Sequence, residues 1–262
     1  MILRTLLNRM HDAPAQLAPA ANRLLSILPP EERSFIEPHL ELVSFPVGHF
    51  VALAGDALKR CYFPNNGMIS LLAETQDGGA VEIGFAGFEG MVGVPLLLGK
   101  NAMPYQALVQ APTEGYVVDT GRVLQLFARR GIFHDAVLRY SYVEIRQLAQ
   151  TAVCNHFHSI QSRMCRWLAV MCERSGHRQV KLTHEFLAHF LGVQRTSIGA
   201  IANALQREGI IDYSRGKIEI LDLERLQMNA CECFALIRQE FAEFLTAKDG
   251  AHMSETRQTA SV

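Results

Sequence analysis

Residues 182–203, LTHEFLAHFLGVQRTSIGAIAN, decide the fold of the second half of the chain. Two helices that cross at a short turn need apolar side chains at the crossing, a small residue where the backbones approach, and a turn residue that tolerates positive φ. Ala188 provides the small residue and Gly192 the turn. The apolar set consists of Leu187, Leu191, Val193, Ile198 and Ile201. This pattern predicts a helix-turn-helix, against the alternative of two ordinary core helices.

The second helix is predicted to begin at about Gln194, and its first turn is more polar than packing requires. The guanidinium of Arg195 can donate a pair of hydrogen bonds to O6 and N7 of guanine in the major groove. Gln194, Thr196 and Ser197 can reach phosphates or base edges, and a helix N-terminus itself favours an anion. Thr183 is the predicted N-cap of the first helix and completes this side of the predicted DNA-binding surface.

The segment after the second helix, IIDYSRGKIEI at residues 210–220, is typical of two short strands around a turn. The turn carries the cations Arg215 and Lys217, where a β-hairpin wing would contact the DNA backbone. Residues 158–225 hold ten Lys and Arg against seven Asp and Glu, whereas the whole chain has a net charge of −1. This local excess favours a polyanionic partner. Residues 158–225 are therefore predicted to form a winged helix-turn-helix that binds double-stranded DNA.

The first half of the chain has a different pattern. Residues 38–130 contain short apolar runs separated by Gly, Pro, Asn and Asp, with a hairpin turn predicted at residues 76–79. Residues 1–37 are predicted to be helical, and residues 226–262 to form a C-terminal helix and a disordered tail. Residues 131–157 have no Gly or Pro after the first position. The predicted fold class is α+β: a cupin-like antiparallel β-roll, a long dimerisation helix and the C-terminal winged helix-turn-helix.

The long helix carries a heptad pattern that is typical of a short coiled coil between two copies of the chain. The first series of seam positions is Leu138, Ile145 and Ala152, and the second is Ser141, Leu148 and Asn155. The first series is apolar, whereas the second is mixed, so its polar members could set the register. The alternative is a helix that packs on its own domain. Gly and Pro are absent between Gly131 and Gly176, and one unbroken helix through this whole stretch would be too long for a domain of this size. A hinge is therefore predicted near residues 154–158.

Composition and pattern argue against several other classes of protein. The start, MILRTLLNRM, is not predicted to be a signal peptide, because Arg4 and Arg9 interrupt a short apolar run. No run approaches the roughly 18 apolar residues of a membrane span, so the protein is predicted to be cytoplasmic, without membrane contact. A metal-dependent barrel enzyme needs several histidines and a carboxylate, yet residues 40–118 contain only His49. An enzyme is therefore not predicted.

Over residues 24–225 these elements resemble the Crp/Fnr superfamily of bacterial transcription regulators. The most specific matches are LGVQRTSIGAIANALQREGIIDYSRGKIEILD at 191–222 and GFEGMVGVPLLLGKNAMPYQALVQA at 87–111. The resemblance implies a homodimer on a pseudo-palindromic DNA site, with half-sites about one helical turn apart. It also implies a β-roll that receives a signal, and RNA polymerase as a further partner. The cyclic-AMP receptor has Glu where this chain has Thr196, so the preferred DNA site should differ beyond the guanine.

By the same resemblance, the sensor pocket is expected at Gly93, Val94, Pro104 and Tyr105. Nucleotide-binding members place a Glu for the ribose at the position of Val94, and an Arg and a Ser for the phosphate at Pro104 and Tyr105. A cyclic phosphate buried without its arginine would be an unpaired charge, so cyclic AMP is not predicted to bind. The iron–sulfur members carry an N-terminal cysteine cluster, and residues 1–37 contain no cysteine. No cofactor is predicted, and the effector stays unidentified.

Cys154, His156 and His158 lie close together at the predicted hinge and could hold a metal or haem. Ordinary hinge packing is the favoured interpretation, and no metal site is predicted. The Cys231-Glu-Cys233 motif is too short to identify one. Two functional alternatives stay open. One is a redox- or metal-sensing regulator that uses these three hinge residues, for example through a disulfide between two copies of Cys154. The other is a β-roll interaction module without specific DNA binding.

Overall fold

The structure, a computed structural model, describes residues 22–76, 78–214 and 216–246. Most of the predicted N-terminal helical segment, the predicted disordered tail beyond residue 246, and Arg215 lie outside these residues. The described end of the N-terminal segment forms two short helices, α1 (Arg23–Ser26) and α2 (Pro30–Ile36). A proline at the first position suits a helix start because no intrahelical bond needs its missing N–H.

Seven antiparallel strands form the predicted β-roll. They are β1 (Glu41–Phe45), β2 (Phe50–Ala52), β3 (Arg60–Pro64), β4 (Met68–Glu74), β5 (Ala80–Ala86), β6 (Gln106–Ala111) and β7 (Thr113–Asp119). One sheet has the order β1–β7–β3, and the other has the order β2–β6–β4–β5. Glu74 pairs with Ala80 in the β4–β5 hairpin, which confirms the hairpin predicted around residues 76–79. Inward side chains of β4 and β6, such as Ile69 and Val109, are fully buried.

Helices follow the roll and lead out of it. They are α3 (Val94–Leu97) within the roll, then α4 (Thr120–Ala128), α5 (Ile132–Phe157) and α6 (Ile160–Ser175). Helix α5 lies along strand β5, where the side-chain carbonyl of Gln147 accepts a hydrogen bond from the backbone N–H of Phe85 at 2.7 Å. His158 is extended, and Ser159 caps α6 by accepting a hydrogen bond from the N–H of Ser162 at 3.1 Å. This break confirms the predicted hinge.

The second domain is a winged helix-turn-helix, as predicted. Its elements after α6 are β8 (Gln179–Lys181), α7 (His184–Leu191), α8 (Arg195–Arg207), β9 (Ile211–Ser214) and β10 (Lys217–Ile220). The three strands form one antiparallel sheet in the order β8–β10–β9. Strand β8 was not expected from the sequence, since a strand of three residues is too short to show an alternating pattern.

Two further helices, α9 (Leu223–Met228) and α10 (Cys233–Thr246), end the described chain. Helix α10 is the C-terminal helix predicted from the sequence, and it returns along α5. The ring of Phe241 lies 5.6 Å from that of Phe85, and the ring of Phe244 lies 5.9 Å from that of Tyr140. The C-terminal segment therefore packs against the sensor half of the molecule as well as following the wing.

Among the described residues, none of the helices combines the length and the apolar character needed to cross a membrane.

Candidate functional site

The helix-turn-helix has the local geometry that its sequence requires. The side-chain oxygen of Thr183 accepts a hydrogen bond from the N–H of Phe186 at 3.1 Å and caps α7. Gly192 has φ +63°, the left-handed conformation in which a side chain would be strained. Leu187 and Ile198 are fully buried where α7 and α8 cross. The turn and the crossing together fix the direction in which the second helix projects.

The first turn of α8 presents the predicted polar side chains to solvent. Gln194, Arg195 and Thr196 are exposed, and Ser197 is half-buried. Gln194 is the N-cap but makes no capping hydrogen bond with its side chain, so the first amide groups of α8 are left for a partner. A helix N-terminus that ends in unsatisfied N–H groups suits a phosphate.

The outward face of α8 extends beyond the residues that the sequence indicated. Ala200 and Asn203 are also exposed, one and two turns after Thr196 along the helix. Because Gly199 has no side chain and Ala200 has only a methyl group, the backbone of α8 can come close to the bases in a DNA groove. Helical periodicity could have identified these positions, since they lie opposite the buried Ile198 and its neighbours.

The wing lies beside the start of α7. The imidazole of His184 stacks on the ring of Tyr213 with centroids 4.1 Å apart. The backbone N–H of Leu182 donates to the carbonyl of Gly216 at 2.8 Å. Lys217, a predicted backbone contact, is exposed at the start of β10. The wing is thus held against the start of α7, the helix that leads into α8.

One residue of the predicted sensor pocket, Tyr105, is bonded to the long helix. Gly93 precedes α3 with φ +132°, Val94 is buried, and Pro104 is exposed. Tyr105 is buried, and its hydroxyl donates a hydrogen bond to the carboxyl group of Glu144 in α5. Burial raises the pKa of Glu144 to about 7. The position that corresponds to a phosphate contact in nucleotide-binding members is therefore joined to the long helix instead.

A buried contact also links the β-roll to the DNA-binding domain. One carboxylate oxygen of Glu82 accepts hydrogen bonds from the Ser70 hydroxyl at 2.6 Å and from the Trp167 indole at 3.1 Å. Beside it, Arg174 of α6 pairs with the fully buried Glu89. Sequence reasoning missed the Glu82–Trp167 and Glu89–Arg174 pairs because the members of each pair lie 85 residues apart. Local spacing cannot indicate such contacts.

The outer face of α5 carries an apolar stripe that the described chain leaves open. Exposed large side chains of this stripe are Leu138, Tyr142, Ile145, Val153 and Phe157. The first predicted seam series lies on it, since Ala152 is exposed as well. In the second series, Leu148 is half-buried and Asn155 is exposed. Ser141 is buried, and its hydroxyl donates to the carbonyl of Val137 at 2.7 Å. Ser141 thus faces its own domain in the single chain, whereas Tyr142 lies on the stripe. The assignment of Ser141 to the dimer seam stays a prediction.

At the hinge, the structure separates the three residues that the sequence grouped. Cys154 is fully buried, and its sulfur lies 3.5 Å from the sulfur of Cys231. The hydrogen bond with Cys231 and the nearby Arg166 guanidinium lower the pKa of the Cys154 thiol. His158 lies on the same side, whereas His156 is exposed and its ring contacts Phe157.

Two family models match the chain in the order in which the two domains occur. A cyclic nucleotide-binding domain matches residues 42–130, and a Crp-like helix-turn-helix domain matches residues 162–228. The chain belongs to the Crp/Fnr superfamily. The sequence matches none of the curated proteins.

Solved structures share the fold of this Crp/Fnr protein. A Crp/Fnr-family protein from Eubacterium rectale is 17% identical, with a TM-score of 0.66 over 79% of this chain and 96% of that one. FixK2 from Bradyrhizobium japonicum is 13% identical, with a TM-score of 0.60 over 73% and 98%. The c-di-GMP responsive global regulator CLP from Xanthomonas campestris is 18% identical, with a TM-score of 0.58 over 72% and 98%. The protein is a Crp/Fnr-like transcriptional regulator with a DNA-binding helix-turn-helix, from a family of non-enzymes.

Proposed function

We propose that this regulator binds a pseudo-palindromic DNA site as a homodimer and reads a guanine in each half-site with Arg195. The observation that carries the proposal is the exposed first turn of α8, where Arg195 and Thr196 stand beside uncapped amide groups. Phosphate contacts by Gln194, Ser197 and Lys217 would set the register, and Arg195 would supply base specificity.

The exposed stripe of α5 supports the homodimer. Leu138, Tyr142, Ile145 and Ala152 follow the alternating spacing of a coiled-coil seam, and all four are exposed in the single chain. Burial of these side chains against a second copy would place the two copies of α8, the recognition helix of each chain, on one face of the dimer. A two-fold protein then matches a two-fold DNA site.

The input is an effector other than a cyclic nucleotide. Tyr105, one of the predicted pocket residues, is buried, and the partner of its hydroxyl is an acid, Glu144. A carboxyl group near an expected phosphate site opposes anion binding rather than supporting it. No cyclic-AMP or iron–sulfur cofactor is therefore part of the proposal. RNA polymerase is the proposed partner through which DNA binding acts on transcription.

The test is selection of duplexes from a random library at fixed salt, with wild type, Arg195→Ala and the control Arg122→Ala. Arg122 is an exposed arginine of α4, in the β-roll half of the chain. Wild type and Arg122→Ala should enrich the same two-fold symmetric motif. Arg195→Ala should bind it about 10- to 100-fold more weakly, because a bidentate contact contributes about 1–3 kcal/mol of discrimination.

Equal binding by Arg195→Ala would contradict the assigned base contact. Failure of wild type to enrich any motif, with or without cell extract as a source of effector, would favour the interaction-module alternative. A motif that lacks two-fold symmetry would contradict the homodimer.

A further inference from the structure

Four side chains of the types that bind metals meet at the hinge between α5 and α6. The sulfur atoms of Cys154, Cys231 and Cys233 and one ring nitrogen of His158 all lie within 4.8 Å of one another. Cys154 belongs to the last turn of α5, and His158 follows that helix directly. Cys233 is the first residue of α10, and Cys231 lies just before that helix, 77 residues after Cys154. The fold, rather than a local motif, assembles this cluster.

We propose that these four side chains bind one zinc ion in tetrahedral coordination. Zinc bonds of about 2.3 Å to sulfur and about 2.0 Å to nitrogen put two sulfurs about 3.8 Å apart, and a sulfur and a nitrogen about 3.5 Å apart. The Cys154 and Cys231 sulfurs are 3.5 Å apart, and the Cys233 sulfur is 3.4 Å from Nδ1 of His158. These two separations match a single tetrahedral ion, and the other pairs of ligand atoms lie within 4.8 Å of one another.

The surroundings orient the ligands as a metal site requires. Nε2 of His158 lies 2.9 Å from a carboxylate oxygen of Glu232, which leaves Nδ1 directed at the sulfur atoms. A histidine ligand held by a carboxylate on its other nitrogen is a recurrent feature of zinc sites. The amide nitrogen of Gln150 donates to the Cys233 sulfur at 3.0 Å. Hydrogen bonds of this kind stabilise a thiolate.

The local charge balance also suits the ion. Three thiolates and one divalent cation leave a net charge of −1. Arg166 is buried and acts electrostatically on both Cys154 and Cys231. Arg163, also buried, lies close enough for the same two cysteines to act on it. These guanidinium groups compensate the remaining negative charge. When the ion binds, each thiol that becomes a Zn–S ligand releases its proton to solvent.

Two other uses of the cysteines fit the geometry less well. An iron–sulfur cluster holds two or four irons between its ligands and needs more room than a group of atoms within 4.8 Å provides. A disulfide between Cys154 and Cys231 would account for two of the four side chains, but not for His158 and Cys233 in the same sphere. A set of three thiolates and one imidazole that is compact enough to surround a single ion favours zinc.

The position of the site gives it a structural consequence. The ion would join the end of the dimerisation helix α5 to the start of α10, at the point where the chain turns into the DNA-binding domain. Zinc would thereby restrict how far that domain can rotate about residues 158–159. This proposal is independent of the DNA-binding proposal, because its test involves no DNA.

The test measures metal content and Co²⁺ spectra of the full chain purified under reducing conditions. Wild type should contain about one zinc per chain, and its Co²⁺ form should show tetrahedral d–d bands with sulfur-to-cobalt charge transfer. His158→Asn should weaken Co²⁺ binding by more than about tenfold and shift the d–d bands, whereas the neighbouring His156→Asn should match wild type. Cys233→Ser should weaken the charge-transfer band, whereas Cys172→Ser, at a buried cysteine outside the cluster, should keep it.

Two results would overturn the proposal. One is a protein without stoichiometric zinc whose Co²⁺ form is octahedral. The other is zinc that is present but equally bound by wild type, His158→Asn and Cys233→Ser, which means an adventitious ion only. His158→Asn keeps the test valid if a cysteine variant fails to fold, because this half-buried side chain can be changed without opening the core.

Discussion

The recognition helix and the β-roll pocket use their polar side chains in opposite ways. At the start of α8, Gln194, Arg195 and Thr196 are exposed and the helix lacks a side-chain cap. In the roll, Tyr105 is buried and its hydroxyl is already bonded to Glu144 of the same chain. The first surface is open to a partner, whereas the polar group of the second is already bonded to another part of the same chain. The first turn of α8 is thus available to a partner in the single chain, whereas the Tyr105 hydroxyl is engaged with the long helix.

The largest expected effect is on dimerisation. It tests whether two copies of the chain associate through α5 and so present two copies of α8 to DNA. Ile145→Glu would bury a carboxylate in the proposed α5 seam of each subunit, at a cost of several kcal/mol, on the order of 3 or more per dimer. We expect a monomer by size-exclusion chromatography with light scattering at micromolar concentration. The control is Leu42→Glu, because Leu42 is 62% exposed against 59% for Ile145 but lies on β1, away from the seam. A dimer that survives Ile145→Glu would place the interface elsewhere.

The next effect concerns Glu144, the hydrogen-bond partner of Tyr105, and the pH dependence of the free energy of unfolding. The pKa of Glu144 is raised by burial from 4.5 to about 7. The folded protein therefore holds this proton more tightly than the unfolded chain. The resulting stabilisation is complete below about pH 4.5 and is lost as the pH rises through about 7, for a change of up to about 3 kcal/mol. Glu144→Gln should remove this part of the pH dependence.

This pH dependence is measured by urea denaturation of wild type and Glu144→Gln at pH 5 and pH 8. The variant should be relatively more stable at pH 8, because its neutral amide still accepts from Tyr105 without the cost of a buried charge. The exposed Glu37→Gln serves as control and should follow the wild-type curve. Parallel curves for wild type and Glu144→Gln would mean that Glu144 is accessible to water in solution, so that the pocket is open.

A smaller effect tests the contact between the β-roll and helix α6 of the DNA-binding domain. Trp167→Phe keeps an aromatic side chain but removes the indole N–H that donates to Glu82. The expected cost is about 1–3 kcal/mol in the free energy of unfolding. Ser70→Ala removes the other donor to the same carboxylate oxygen from within the β-roll. Both variants should lose stability, but only Trp167→Phe should speed proteolysis at the hinge, residues 157–160. Equal proteolysis in the two variants would show that this indole does not hold the domains together.

The smallest effect separates the two roles of threonines in the helix-turn-helix, one in the stability of the fold and one in DNA binding. Thr183→Ala removes the cap of α7 and should cost about 1 kcal/mol in the free energy of unfolding. Thr196→Ala should leave the urea midpoint within error, because its side chain is exposed at the start of α8, yet weaken DNA binding. A stability loss in Thr196→Ala as large as that in Thr183→Ala would mean that Thr196 is part of the folded core rather than of the interface.

Local patterns predicted the elements of the fold well. The glycine turn at Gly192, the cap at Thr183 and the apolar crossing of two helices follow from short-range rules, and the structure confirms them. The hairpin at residues 76–79 and the hinge after Phe157 also follow from neighbouring residues. In each case the residues that decide the structure lie within a few positions of one another.

Contacts between distant segments could not be predicted in this way. Helical spacing placed Ser141 in the second seam series, but the burial of Ser141 within its own chain could not be deduced from that spacing. Cys154 and Cys231 give no joint pattern because the return of α10 along α5 is a tertiary event. Tyr105 was recognised as a departure from the family, but its partner Glu144 lies 39 residues away.

Helix α5 has a consequence for engineering and for the divergence of such proteins. It runs without a break for 26 residues, about 39 Å at 1.5 Å per residue. One residue inserted in its middle would turn everything beyond it by about 100° and advance it by about 1.5 Å. The seam, the hinge and the recognition helix would then lose their alignment together. Length should therefore be far less variable in this segment than in the loops of the β-roll, and domain exchange between relatives should succeed only when the junction preserves the residue count of α5.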